Sequence, residues 1–135
     1  MVYLFHLLIE RRWILISIFD ISEEKEYLRK LVVTGYYDTK KAIDLIVDND
    51  NEFLALHYLS KANSYFITLE SYLRSKEDLY RDEFAQAVDA FTDVYKEALD
   101  CVRDNHSHQH TVIYFDRFKE KLYPVLGYVD SNIDL

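Results

Sequence analysis

The sequence predicts an all-α protein: an up-and-down bundle of four to six helices with two long antiparallel heptad-patterned helices. Three observations carry that expectation. Ala55, Leu59, Ala62, Phe66, Leu69 and Leu73 recur at 4-3-4-3-4 spacing, and Phe84, Val88, Phe91, Tyr95, Ala98 and Val102 repeat that spacing. Such seams form where long helices pack at about +20°. The chain holds only 2 Gly and 1 Pro in 135 residues, against roughly nine and seven at average usage. Glycine-rich phosphate loops, dinucleotide folds and many-turned β-sandwiches need glycines that it lacks. Half of the residues are hydrophobic and 30% are charged, which suits one globular domain over residues 1–135. A chain of this size buries about two-thirds of its extended-state surface without help from disulfides or metal.

Taken in order, the first element is the least determined. Val2–Ile9 and Trp13–Phe19 are apolar runs split by Glu10, Arg11 and Arg12, so neither approaches the ~20 residues of a membrane span. No basic stretch precedes the first run and no small-residue cleavage site follows it, which argues against a signal peptide. The β-branched Val2, Ile14, Ile16 and Ile18 leave two strands open as an alternative to a helix. As a helix, Phe5, Ile9, Trp13, Ile16 and Phe19 form one apolar face and Leu4, Leu8, Leu15 and Ile18 another. A helix apolar on two faces belongs inside a bundle or at an oligomer interface, so a homodimer is expected.

Asp20 with Glu23 has the form of a capping box, and Tyr27, Leu28, Leu31 and Val32 carry a second helix to an expected end at Gly35. A short helix is expected to restart after Asp38 or Thr39 and to bury Ala42, Ile43, Ile46 and Val47. Asp48-Asn49-Asp50-Asn51 is the clearest break and supplies a cap for the first seam helix. Arg74–Asp78 is the expected connection to the second seam helix, which the polar run Asp104–His110 ends. Thr111 is the expected cap of a last helix carrying Val112, Phe115, Phe118 and Leu122, closed by Pro124 and Gly127.

The charge balance narrows the function. Sixteen basic residues against 24 acidic ones give a formal net charge of −8, with an isoelectric point near 5.0. Passive adhesion to nucleic acid or anionic lipid needs a basic footprint and is disfavoured on that ground, whereas a protein partner with a basic surface is favoured. The single Cys101 forms no internal disulfide, which fits a reducing, cytoplasmic setting. It falls one residue before a seam position and reads as a packed thiol. Asp82, Asp89, Asp93, Glu97 and Asp100 fall away from the second seam, as does Asp104, and form an acidic helical face. Tyr58, Tyr65 and Tyr72 repeat every seven residues beside the first seam; they either widen the core at its rim or form a contact stripe. No nucleophile motif, P-loop or inward Glu-x-x-His pair occurs. The leading expectation is a small acidic interaction protein without a cofactor: an adaptor, inhibitor, immunity or antitoxin-like factor, or assembly subunit.

The densest chemical signal is Arg103-Asp104-Asn105-His106-Ser107-His108-Gln109-His110. Its ordinary reading is a solvated loop. His106, His108 and His110 are the candidate metal ligands, with His106 and His110 sharing a face if the segment is helical. No companion ligand pair appears elsewhere, so no metal is the leading expectation. Arg103, the polar Asp104 and His108 after four intervening positions also resemble the Arg-x(4–6)-His motif of HEPN-domain ribonucleases. That resemblance implies a small α-bundle dimer cleaving RNA without metal, with His108 moving a proton at the 2′-hydroxyl and Arg103 stabilising phosphate charge. This is the alternative function.

Overall fold

A computed structural model describes the backbone of residues 10–75, 81–105 and 107–126, and the side chains of 23–75, 83–105 and 107–125. All secondary structure among the described residues is helical: α1 Glu10–Val47, α2 Glu52–Ser75, α3 Arg81–Asp104 and α4 Gln109–Leu126. The expected strand alternative fails over 10–19, which are helical; residues 2–9 lie outside the described residues.

Three expected elements are one. The chain runs through Asp20, Gly35 and Asp38 as a single helix of 38 residues. Glycine at a helix interior costs about 0.5–1 kcal/mol relative to alanine, so its presence at 35 needs a reason, and packing supplies one. A Cβ at Gly35 would lie 2.6 Å from Cε2 of Phe66, so the missing side chain is what lets α1 and α2 approach. Asp38 and Thr39 do not open a new helix; both are buried. The Thr39 hydroxyl donates back to the Gly35 carbonyl at 2.7 Å.

The true end of α1 is the predicted Asp48–Asn51 break. Asn49 adopts φ 49°, and its N–H donates to the Ile46 carbonyl at 3.1 Å while that of Asp50 reaches Leu45 at 2.9 Å. This pair of bonds is a Schellman closure around a left-handed residue. Asn51 then accepts from the Leu54 N–H at 3.0 Å, capping α2.

Successive helices run antiparallel. Phe66 lies against Gly35 while Lys61 pairs with Asp38, so α2 descends as α1 ascends. Arg29 donates to the Val125 carbonyl at 3.0 Å and Tyr36 stacks 5.9 Å from Phe115, which orients α4 against α1. The α1–α2 and α3–α4 pairs make the broadest contacts, α2–α3 the next. An aromatic layer drawn from all four helices fills the centre. Phe66 stacks on Phe91 with ring centroids 4.1 Å apart, and Phe118 meets both edge-on at 5.6 and 6.0 Å.

The first seam is buried at all six expected positions. The second is turned by one residue. Phe84, Val88, Phe91 and Ala98 are buried as expected, but Tyr95 and Val102 are only half-buried, while Ala87, Val94 and Cys101 are enclosed. The cause is that α3 packs against both α2 and α4, so its apolar face is wider than one seam. Of the residues read as carrying the second helix, Leu28, Leu31 and Val32 are buried and Tyr27 is 50% exposed. Thr111 is buried, and its hydroxyl has no hydrogen-bond partner among the described residues. It does not cap α4; the Ser107 hydroxyl accepts from the Gln109 N–H at 3.3 Å instead. Pro124 is inside the last turn of α4 rather than beyond it; Gly127 lies outside the described residues.

Candidate functional site

The acidic stripe is built by α3. Asp89 and Asp93 are exposed, and Glu97 and Asp100 are half-buried; Asp82 lies in the first turn, its side chain outside those described. The four-residue step from Asp89 to Asp93 and on to Glu97 keeps them on neighbouring turns. Asp89 and Asp93 do not face open solvent alone. With Gln86 and Ala90 they form one wall of a groove of about 260 Å³ whose other wall is Tyr114, Arg117 and Lys121 of α4. The Arg117 guanidinium lies 5.3 Å from the centre of the Tyr114 ring, a cation–π contact between two residues of the same wall.

The tyrosine stripe occupies a different seam. Tyr58, Tyr65 and Tyr72 are half-buried and pack on the core from its rim. Tyr58 is turned toward α1: the ammonium groups of Lys41 and Lys61 stand 5.2 and 5.8 Å from its ring centre. Lys61 also reaches a buried Asp38 oxygen at 3.8 Å. The heptad step places Tyr65 and Tyr72 on that same flank of α2. Tyr58 therefore faces α1, Asp93 lines the α3–α4 groove, and Asp89 lines both that groove and a second one between α2 and α3 beside Glu70 and Arg74.

The Arg103–His110 segment does not form one helix. α3 ends at Asp104, and Asn105 turns the chain with φ 53°. His106 lies outside the described residues, His110 is exposed on α4 and His108 is half-buried. Among the described residues no group of three His, Cys, Asp or Glu is arranged to hold a metal ion. Arg103 is exposed and held by its own helix, 2.6 Å from Asp100 and 3.3 Å from Asp104. The hydrogen bond and charge of Asp104, with the charge of Asp100, push its already high pKa further up. His108 lines a small cavity of about 30 Å³ at the end of the bundle, with Leu45, Asn49, Glu52, Cys101 and Asn105. That volume is on the scale of a water molecule, and Arg103 is not in its lining. The His108 Nδ1 is shielded from solvent with no partner among the described residues. Cys101 is buried there, as a packed thiol.

Comparison with protein-family models, with characterised proteins and with solved structures finds no match, so the functional reading rests on this chain's own residues. Sequence reasoning missed the basic wall of the groove. The signal was present, since Arg117 and Lys121 are four residues apart on the flank of α4; their meaning depended on which helix would lie beside that flank. Among the described helices none is long and apolar enough to cross a membrane.

Proposed function

We propose that this protein is a small non-enzymatic interaction protein that binds a protein partner with a basic surface. The observation that carries the reading is the α3 stripe, with Asp89 and Asp93 exposed on successive turns beside a groove between two helices. Exposed carboxylates in a row accelerate and orient the approach of a basic partner more than they tighten the final complex. The tyrosine row contributes as the rim of the core and as a second contact strip on the α1–α2 side. The cytoplasmic setting and the homodimer belong to the same proposal.

The test is affinity capture at low salt with the native chain and with an Asp89→Asn, Asp93→Asn, Glu97→Gln variant. The native chain is expected to retain a partner that the variant loses and that about 0.5 M salt releases, because the screening length falls below 5 Å there. The purified protein is expected to leave single-stranded RNA intact in a chelator. The HEPN-like alternative requires Arg103 to leave Asp100 and Asp104 for a phosphate. Chelator-resistant cleavage that disappears in Arg103→Ala and His108→Ala would replace the interaction reading with that one.

A further inference from the structure

We propose that the basic surface complementary to the acidic α3 stripe is the α4 stripe of a second copy of this chain, giving a two-fold dimer through the α3–α4 face. The inference rests on the interaction reading above and names its partner. The groove is two-signed. Asp89 and Asp93 stand on one wall and Arg117 and Lys121 on the other, so these four formal charges cancel on a chain whose net charge is −8. The balance is local to the groove, since Glu97 and Asp100 continue the acidic stripe beyond it, and it is at the groove that two copies can approach without net repulsion.

The register makes the face complementary to itself. α3 and α4 run antiparallel with Phe91 and Phe118 at one level, their ring centroids 6.0 Å apart. Two residues after Phe91 comes Asp93, level with Arg117; two before it comes Asp89, level with Lys121. A two-fold axis parallel to the helices preserves level and exchanges left for right. It lays α3 of one copy over α4 of the other, with Asp93 above Arg117 and Asp89 above Lys121 of the second copy. Symmetry makes each pair occur twice. Ile113, 47% exposed and one turn before Arg117, supplies an apolar contact on the same stripe. The face is about 27 Å long and two helices wide, so two copies bury roughly 1,000 Å², the size of a transient interface. A micromolar, salt-sensitive dimer is the expected species.

Two charge-reversal variants of the full chain test this by light scattering and analytical ultracentrifugation. One is Asp89→Lys with Asp93→Lys; the other is Arg117→Glu with Lys121→Glu. The wild type is expected to dimerise at tens of micromolar and to lose at least tenfold in affinity between 50 and 500 mM salt. Each variant alone brings like charges together and should be monomeric with unchanged helical circular dichroism. Mixed one to one, the two variants present opposite charges at all four pairs and should form a heterodimer. A wild type that stays monomeric to about 1 mM overturns the inference. So does a dimer indifferent to either variant, or a mixture that fails to associate. If the dimer is missing while neutralised α3 still loses a captured partner, the interaction reading stands and only its partner is wrong; if both fail, the reading falls as well.

Discussion

Gly35 is enclosed in α1 with the Phe66 ring pressed against the space a side chain would fill. That ring has nowhere to go, because it is stacked on Phe91 and met edge-on by Phe118. Two effects of Gly35→Ala therefore oppose each other. Alanine is the better helix former by about 1 kcal/mol, and overpacking a filled core costs about 1–3 kcal/mol. Overpacking should win, with a net loss of about 1 kcal/mol by chemical denaturation. In a Phe66→Leu background the clash is relieved, and the same substitution should become neutral or stabilising. A stabilising Gly35→Ala in the native background would show that α1 and α2 are farther apart than described. Asp38 makes the same point from the polar side. It is buried at a position where the sequence suggested a helix start, with one carboxylate oxygen 3.8 Å from the Lys61 ammonium of the neighbouring helix and the other without a hydrogen-bond partner among the described residues.

The α1–α2 junction shows where local sequence does govern an element. Asn49 takes the left-handed conformation and Asn51 caps the next helix, each using a side chain suited to the task. Asn51→Ala should cost about 1 kcal/mol. Asn49→Ala should also destabilise, whereas Asn49→Gly should be neutral or better, since only the alanine meets a Cβ penalty at positive φ. Equal effects of Ala and Gly at position 49 would count against the Schellman closure. At Gly35 and Asp38 the same vocabulary of caps misled. Gly and Asp terminate a helix only if nothing outside it holds it together, and here the packing of α1 on α2 does.

For the whole molecule, the aromatic layer is the common support of all four helices. Phe66→Ala and Phe91→Ala should each cost about 3–5 kcal/mol, a large part of the 5–15 kcal/mol typical of a domain. Asp93→Asn, on the exposed wall of the groove, should change monomer stability by no more than about 0.5 kcal/mol. Thermal unfolding at low protein concentration separates these outcomes. A harmless Phe91→Ala would break the link between the central layer and the fold.

The sequence by itself determined the all-helical class, the six buried positions of α2, the Asp48–Asn51 break and the core residues Phe115, Phe118 and Leu122 of α4. Each is a local property, set by the period of apolar side chains or by one capping group acting within a turn. Only the tertiary structure decided that 10–47 is one helix, that α3 buries Val94 and Cys101 in place of Tyr95 and Val102, and that Arg103 pairs with Asp100 and Asp104 while His108 lines a small cavity at the bundle end. It also set the acidic stripe beside a basic one. The physical reason is common to all of these. Each depends on which helix lies beside which flank, and that neighbour is far away in sequence, where no periodicity within a single helix can register it.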